Sequence, residues 1–341
     1  MNPVADHEAW LRGEGAFEAL TEPYRRELQV HCYRMLGSLT EAEDLVQETL
    51  LRAWRNRQSY AGRAPVRAWL YKIATNACLD ELAHRARGTR RGLPSDFFKP
   101  ADPLGPVEGP VLDPIWLEPF PDALLPEAGA DPAATYDRRE SVRLAFLVAL
   151  QALPPKQRAI LLLRDVLGWS AAEVAGLLDL SPASVTSALY RARTTLSGHT
   201  GGKARIRRGV EPDDASDRDL LARYVAAWEN ADVEALTLLL KEDATFPMPP
   251  LPAWYRGRAS IRAFLEATVL AGDARGRWRL VPTRANGCPA FGLYRRRDDG
   301  PGYVAFAVQV VTLDAGLVED ATTFGFPHLF RLFGLPDRLA G

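Results

Sequence analysis

Residues 42–54 read Ala42-Glu-Asp44-Leu-Val-Gln47-Glu48-Thr-Leu-Leu-Arg-Ala-Trp54, and their apolar positions recur at the period of an α-helix. One face collects the small and apolar residues, namely Ala42, Leu45, Val46, Thr49, Leu50, Ala53 and Trp54. The opposite face carries Asp44, Gln47, Glu48 and Arg52. The preceding Ser38-Leu-Thr40-Glu-Ala-Glu43 is typical of a helix start. The pattern predicts a half-buried helix whose polar face is either solvated surface or a binding surface.

A second amphipathic helix is predicted over residues 66–87. Its inward positions are Trp69, Leu70, Ile73, Ala77 and Leu82, and its end is basic, with Arg85, Arg87, Arg90 and Arg91. Aromatic side chains beside a basic helix end can stack on unpaired bases while the cations neutralise phosphates. The pattern is compatible with single-stranded nucleic acid, although it also occurs in ordinary packed helices.

Residues 138–208 form a basic segment, with twelve Lys and Arg against four acids and so a net charge of +8. This balance suits a phosphate backbone. Gly168-Trp169-Ser170 starts one helix there, and the turn Asp179-Leu-Ser181 leads into another that begins at Pro182. The spacing predicts a helix-turn-helix, in which the second helix enters the major groove. An ordinary three-helix bundle is the alternative.

Both helical blocks resemble the extracytoplasmic-function (ECF) sigma factors of the sigma-70 family. Residues 42–54, followed by Trp69-Leu-Tyr-Lys-Ile73-Ala74-Thr-Asn76 and then Asp80, are similar to the second conserved region of that family. Leu153-Pro-Pro-Lys-Gln-Arg158 and Ser184-Val-Thr-Ser-Ala-Leu-Tyr190-Arg191-Ala-Arg193 resemble its fourth region. The resemblance implies a subunit of bacterial RNA polymerase that recognises the −10 and −35 promoter elements and opens the duplex.

The same resemblance implies roles for individual residues. The polymerase core would be bound through its β′ clamp and its β flap, and the residues expected on the β′ clamp are Asp44, Gln47 and Glu48. The residues expected at the −10 element are Trp69, Asn76, Arg85 and Arg87, and the loop at 61–68 would help to hold a flipped base. The residues expected at the −35 element are Thr186, Ser187, Tyr190 and Arg191, with Arg193 on phosphate. The family commonly has Lys or Arg at the positions of Thr186 and Ala188, so we expect −35 contacts weaker by about 1–3 kcal/mol per missing pair.

Residues 93–137 have the composition of a linker. From Gly92 to Asp137 the chain holds ten of its 26 prolines and nine acids against one lysine, a net charge of −8. Prolines at this density stop a helix, so an extended or disordered state is expected. By the resemblance this connector would thread the polymerase cleft, and a featureless spacer is the alternative. Its aromatic residues favour some docking, because exposed rings gain by burial; they are Phe97, Phe98, Trp116 and Phe120.

The C-terminal part, residues 216–341, changes from a helix at Asp217–Glu229 to strand-like runs such as Tyr303–Leu313. It resembles the SnoaL-like superfamily, an α+β cone with an internal pocket. Candidate pocket residues for a small-molecule ligand are Met248, Trp254, Trp278, Phe291 and Phe306, with a packed aromatic core as the alternative. Asp243 and His328 are candidates for proton transfer. We expect no catalysis and favour a module that senses a ligand or contacts the sigma domains and tunes them in cis.

Composition excludes several classes of protein. Lys and Arg number 42 against 43 acids, so the net charge of −1 says nothing about a polyanionic partner until the charge is considered segment by segment. The three cysteines form no CxxC pair, which argues against a disulfide frame or a zinc site and predicts three buried thiols. No apolar run approaches the ~18 residues of a membrane span, and no signal segment begins the chain. A cytoplasmic protein without metal or cofactor is expected.

The sequence therefore predicts a multidomain protein with two all-α sigma domains and a C-terminal α+β domain. The expected segments are region 2 at 14–92, the acidic Pro-rich linker at 93–137, region 4 at 138–208 and the SnoaL-like domain at 216–341. The expected function is promoter-specific transcription initiation. Two alternatives stay open: a SnoaL-type isomerase or hydrolase fused to a DNA-binding half, and a helix-turn-helix repressor that acts without polymerase.

Overall fold

The computed structural model describes residues 14–60, 64–85, 90–112, 115–126, 139, 141–199 and 215–340. The chain divides into two compact units. The first unit comprises residues 1–91 and 124–205, and the second comprises residues 92–123 and 206–341. The predicted linker is thus divided near Ala123, and most of its described part belongs to the second unit.

The first unit is helical. Its helices are α1 (Glu14–Thr21), α2 (Arg25–Leu36), α3 (Leu39–Arg55), α4 (Val66–His84), α5 (Leu144–Gln151), α6 (Pro155–Leu161), α7 (Ala171–Leu178) and α8 (Pro182–His199). A π-helical turn at Leu162–Val166 extends α6, and short 3-10 turns lie at Glu22–Tyr24 and Arg57–Ser59. The predicted start of α3 is confirmed, because Ser38 Oγ accepts a hydrogen bond from Glu41 N at 3.1 Å.

The helix-turn-helix prediction is matched by α7, a turn and α8. Ser170 caps α7 in a capping box with Glu173, and the helix ends at Asp179, whose φ of 54° is left-handed. Aspartate tolerates this conformation better than most residues do. On α8 the side chains of Val185, Leu189 and Ala192 face inward and are buried. Buried side chains of α2, α4 and α6, including Tyr33, Tyr71 and Ile160, form the core of the unit.

The second unit is an α+β domain with a mixed sheet. Its helices are α9 (Ala215–Glu229), α10 (Val233–Leu238) and α11 (Arg258–Ala267). Its strands are β1 (Leu240–Pro247), β2 (Trp254–Arg256), β3 (Trp278–Ala285), β4 (Cys288–Arg296), β5 (Tyr303–Asp314), β6 (Leu317–Phe324) and β7 (Arg338–Leu339), with a 3-10 turn at Pro327–Phe333 before β7. The strand order is β2-β1-β6-β5-β4-β3, and β7 pairs with β5. Only β1 and β6 pair in parallel among these strands of the described chain.

The candidate pocket residues of this domain occupy different environments. Met248, Trp278 and Phe291 belong to one buried apolar cluster with the aromatic residues of α9. The Tyr224 and Phe291 rings stack at 5.9 Å, and Trp228 meets Trp278 edge-on at 6.1 Å. Burial in this cluster, with close ring packing at Trp278 and Phe291, is what the alternative prediction of a packed aromatic core describes.

Trp254 and Phe306 lie outside that cluster. Trp254 Nε1 donates a hydrogen bond to Phe98 O at 2.9 Å, so this side chain contacts the segment that was predicted as a linker. The Phe306 side chain is 41% exposed on β5, although its ring touches Trp278 at 5.1 Å. Trp254 and Phe306 therefore occupy different environments from the three clustered residues.

Residues 92–123, here called the strap, differ from the free tether that their composition predicts. Their described part, 92–112 and 115–123, includes one helical turn at Pro94–Phe97 and the start of a 3-10 turn at Asp122–Leu124. The remainder has a turn at 103–105 and two isolated β-bridges but no regular helix or strand, which fits its proline content. Leu117 and Phe120 are fully buried, and Trp116 is 5% exposed. Burial of these apolar side chains outweighs the entropy of ordering the chain, and this is the physical reason for the difference.

Candidate nucleic-acid interface

The outer face of α3 carries the residues expected on the polymerase. Asp44 and Gln47 are exposed, and Glu48 is half-buried. Glu48 Oε1 lies 2.7 Å from Arg52 Nε, and Arg52 lies 3.6 Å from Asp80. Ala42, Val46, Thr49 and Ala53 are buried on the opposite face, so the predicted amphipathic division of this helix is confirmed. The arrangement leaves a carboxylate and an amide free to meet a partner.

Trp69 and Asn76, the residues expected at the −10 element, both lie on α4. The Trp69 ring packs on Tyr60 with 5.3 Å between centroids, and Asn76 is exposed about two turns further along the helix. Because the half-buried Trp69 ring packs on Tyr60, it is already ordered and can stack on a base. Residues 61–63 of the adjoining loop and Arg87 lie outside the described residues.

Arg85 does not present a free guanidinium. It forms an ion pair with Glu41 and a longer one, 3.7 Å, with Glu81, and its side chain is 8% exposed. Arg91 forms a second ion pair with Glu41. The two arginines tie the end of α4 and the residues beyond it to the start of α3. In this structure Arg85 therefore stabilises the module and is not available to a phosphate, contrary to its expected role.

The exposed side of α8 carries the residues expected at the −35 element. Thr186, Ser187, Tyr190 and Arg191 are exposed, and the Tyr190 side chain is 73% exposed. Ala188, where the family commonly has a cation, is only 8% exposed. Ala188 therefore faces the packed helices more than the solvent, and the position offers no cation to DNA in this chain.

Arg193 is already bound within its own module. Its guanidinium makes a two-pronged ion pair with Asp165, with N···O distances of 2.9 and 2.7 Å. The pair connects α8 to the π-helical turn after α6. Because the side chain is 61% exposed, solvent weakens the attraction, and a phosphate could compete for the guanidinium.

The two helical modules are in direct contact within the first unit. The Tyr71 ring on α4 lies 5.3 Å from Trp169, which precedes α7, and Lys72 Nζ lies 3.0 Å from Asp179 Oδ1. A buried arginine at the start of α6, Arg158, donates to the carbonyl of Met35. The contacts of Tyr71 and Lys72 bring α4, the helix with the expected −10 residues, against the helix-turn-helix, and the Arg158 bond joins α6 to α2.

The candidate acid and base of the C-terminal domain are not brought together into a site. Asp243 and His328 are both exposed. A carboxyl with a raised pKa does occur in this domain, at Asp320 on β6, where burial raises the pKa to about 6 although Thr245 and Thr322 donate hydrogen bonds to the carboxyl. Asp320 gave no signal in the sequence, because its effect depends on the pairing of β6 with β1.

The prediction of three buried thiols is confirmed, because Cys32, Cys78 and Cys288 are all buried. In the described residues no group of three or more His, Cys, Asp or Glu gathers as metal ligands. None of the helices in the described part of the chain combines the length and the apolar character that a membrane crossing requires.

Asn286 is a structural residue that the sequence reasoning missed. It lies in the turn between β3 and β4 with a φ of 55°, followed by Gly287 with a φ of 72°. Asn-Gly between two strands is a signal for a tight hairpin turn. Its contact with Phe120, 166 residues earlier in the chain, could not be read from that signal.

Comparison with known families agrees with this geometry. A family model for sigma-70 region 2 matches residues 20–88, one for sigma-70 region 4 matches residues 143–196, and one for a SnoaL-like domain matches residues 221–321. Two sigma-70 modules with a fused SnoaL-like domain define the class as a transcription initiation factor.

Individual relatives specify the family. The ECF RNA polymerase sigma factor SigG of Mycobacterium tuberculosis H37Rv is 46% identical over 327 residues, covering 95% of this chain and 85% of the relative. The ECF RNA polymerase sigma factor SigJ of the same organism is 32% identical over 67% of this chain and 62% of its own length. The crystal structure of Mycobacterium tuberculosis SigJ matches with a TM-score of 0.55 at 24% identity, over 95% of this chain and 99% of that one, which supports the fold.

The chain belongs to the extracytoplasmic-function family of RNA polymerase sigma factors. The resemblance drawn from its motifs is thereby confirmed. Sigma factors are non-enzymatic initiation factors that bind the RNA polymerase core and promoter DNA. The isomerase and the repressor alternatives are therefore set aside.

Proposed function

We propose that the C-terminal domain tunes promoter recognition in cis by holding the strap that joins the two sigma modules. The observation that carries this proposal is a reciprocal pair of hydrogen bonds between the strap and the β3–β4 turn. Phe120 N donates to Asn286 Oδ1, and Asn286 N donates to Phe120 O, each at 2.9 Å. Two exchanged bonds of this kind resemble one rung of an antiparallel ladder.

Further bonds hold the strap along its length. Asp122 accepts from Gly287 N at 2.8 Å and forms an ion pair with Arg284 at 3.3 Å. Nearer the start of the strap, Ala101 N donates to Trp254 O at 2.9 Å. Val111 N donates to Pro250 O at 3.0 Å. Because these bonds are spread over the strap, its release is expected to be cooperative.

Strap release matters because the two promoter elements are far apart. About 25 base pairs at 3.4 Å each separate the −10 and −35 elements, a span of roughly 85 Å. A compact unit of about 170 residues is only about 40 Å across. The sigma modules must therefore separate to occupy both elements. A released strap of about 30 residues at about 3.3 Å each reaches roughly 100 Å, whereas a bound strap cannot extend.

The individual contacts belong to the same proposal. Asp44, Gln47 and Glu48 bind the β′ clamp of the polymerase, which their exposure on one helix face supports. Trp69 and Asn76 hold a base of the −10 element. Tyr190 and Arg191, with the small polar residues of α8, bind the −35 element.

A variant that releases the strap tests whether the C-terminal domain tunes promoter recognition. An Asp122→Ala/Asn286→Ala chain should expose the strap to limited proteolysis and change open-complex formation on a cognate promoter several-fold, measured with core polymerase. Glu108→Ala, which alters an exposed acid of the strap, is the control and should behave as wild type. If the strap is cleaved readily in the double variant while transcription stays at the wild-type level, the tuning proposal is wrong.

The polymerase contact is tested separately. Asp44→Ala/Gln47→Ala/Glu48→Ala should abolish binding to core polymerase in a pull-down assay, whereas Glu18→Ala on α1 should leave it intact. Equal binding by both chains would contradict the proposed contact.

A further inference from the structure

A cleft of about 390 Å³ in the second unit is lined only by charged side chains. Five arginines face it, namely Arg275, Arg277 and the run 295–297, together with Asp273 and Asp298. The lining therefore has a net charge of +3. This cleft is distinct from the apolar interior of the domain, where the sequence suggested a ligand.

Main-chain hydrogen bonds fix the two segments that build the cleft. Arg296 N donates to Arg277 O at 2.7 Å, which joins the end of β4 to the turn before β3. The turn itself is held at Gly276, whose N–H donates to Glu229 O and whose carbonyl accepts from the Tyr303 hydroxyl, both at 2.9 Å. The backbone that presents the arginines is thus set before any ligand arrives.

Three of the arginines already have partners. Arg277 donates to the carbonyls of Ala271 and Asp273 at 3.3 and 3.4 Å. Arg297 forms a two-pronged pair with Asp299 at 3.0 and 3.1 Å. Arg295 lies 3.7 Å from Asp298, beyond hydrogen-bond length. These contacts order the side chains around the rim.

Arg275 and Arg296 are different. Among the described residues, neither guanidinium has an ion-pair or hydrogen-bond partner, and both side chains are exposed at the cleft. Each offers a planar fork of N–H donors, the geometry that binds phosphate through two parallel hydrogen bonds. Like charges gathered in one cleft repel each other, and a compact anion between them would relieve that repulsion.

We propose that this cleft binds the diphosphate group of a small phosphorylated molecule. A diphosphate carries several negative charges on one compact body, which matches the small size and the net positive charge of the cleft. Duplex DNA fits less well, since its charge is spread along an extended backbone, whereas Arg275 and Arg296 lie in one small cleft. The uncharged remainder of the ligand would lie over the rim.

Calorimetric titration of the full chain with inorganic pyrophosphate at constant ionic strength tests the proposal. Saturable binding with one site is expected. Arg275→Gln/Arg296→Gln should weaken it at least tenfold, and Arg296→Lys, which keeps the charge but loses the fork, should weaken it less. The control is Arg256→Gln, an exposed arginine at the end of β2 outside the cleft, which should bind as wild type does.

The substituted side chains are exposed, so all variants should fold, and circular dichroism verifies this. Absence of saturable binding by the wild-type chain would overturn the proposal, and so would equal affinity in the double variant. A short DNA duplex that displaces pyrophosphate through the same two arginines would also overturn it, because the cleft would then be a nucleic-acid surface. The titration needs neither polymerase nor promoter, so its outcome is independent of the proposed tuning.

Discussion

Arg158 donates a hydrogen bond from its guanidinium to the main-chain carbonyl of Met35, and this bond joins the two sigma modules. The same guanidinium reaches Gln151 Oε1 at 2.7 Å and the carbonyl of Leu153 at 3.2 Å. Arg158 is 3% exposed. Burial and the neighbouring charge of Arg85 lower the pKa of Arg158 to about 9, so it remains charged at neutral pH. A residue at the start of the fourth-region motif therefore acts as a contact between modules.

Arg158→Ala should lower the free energy of unfolding by about 2 to 4 kcal/mol, because several buried carbonyl groups lose a charged donor. Urea unfolding followed by far-ultraviolet circular dichroism measures the change. Lys156→Ala, two residues earlier and exposed, is the control and should change stability by less than about 0.5 kcal/mol. Equal stability of the two variants would contradict this role of Arg158.

Lys72→Glu should favour separation of the modules, because it replaces attraction to Asp179 with repulsion. Both groups are partly exposed, so the effect should be only about 1 kcal/mol. Small-angle scattering should report a larger radius of gyration at low salt, with the difference shrinking at high salt. Adding Asp179→Asn removes the repulsion and keeps a residue that tolerates the left-handed turn, so it should restore compactness. If the radius is the same in all these chains, the ion pair has no influence on the contact.

Stability should fall as the pH drops below 6.5 because of His31. Burial, aided by Arg34 and Arg67, lowers the pKa of His31 from 6.5 to about 3. Its Nε2 lies 2.9 Å from Thr75 Oγ1, and Nδ1 has no acceptor among the described residues for a second proton. The folded state therefore favours the neutral ring. The stability that this preference contributes is complete above pH 6.5 and is lost as the pH falls toward 3. Lowering the pH from 7 to 4.5 should therefore reduce the free energy of unfolding by about 2 to 3 kcal/mol through this residue.

His31→Gln should reduce that pH dependence, even if the variant is less stable at pH 7. His84→Gln is the control, because His84 is exposed at the end of α4. Urea midpoints at the two pH values give the comparison. If stability falls as much between pH 7 and 4.5 in His31→Gln as in the wild type, this histidine is not the source of the pH dependence.

Asp320→Asn should stabilise the C-terminal domain at pH 7.5 and have little effect near pH 4. The pKa of Asp320 is raised to about 6, so the folded state favours the protonated carboxyl and loses stability as pH rises from about 4 to 6. The amide is neutral at every pH, so the substitution should raise the free energy of unfolding by about 1 to 3 kcal/mol above pH 6. Thermal unfolding at both pH values measures this, with Asp243→Asn, an exposed acid, as the control. A gain of equal size at pH 4 would contradict the explanation.

The local sequence pattern was sufficient to predict the helices and to identify the family. The 3.6-residue period of α3 and the cap at Ser38 are short-range features, and so is the turn from Asp179 to Pro182 before α8. The exposed faces with Asp44 and Tyr190 follow from the same periodicity. Each of these depends on neighbours within one or two turns of chain, and such neighbours are visible in the order of residues.

Contacts between distant residues were decided only by the tertiary structure. Nothing near Phe120 indicates Asn286, nothing near Arg158 indicates Met35, and the ion pair of Arg85 with Glu41 is invisible until two helices pack. Proline content correctly predicted a strap without regular secondary structure, and its aromatic residues favoured docking, but neither indicated where it docks, because the docking surface is built from residues more than a hundred positions away. The physical reason is common to all of them: burial and hydrogen-bond pairing act in space, whereas a sequence pattern records only separation along the chain.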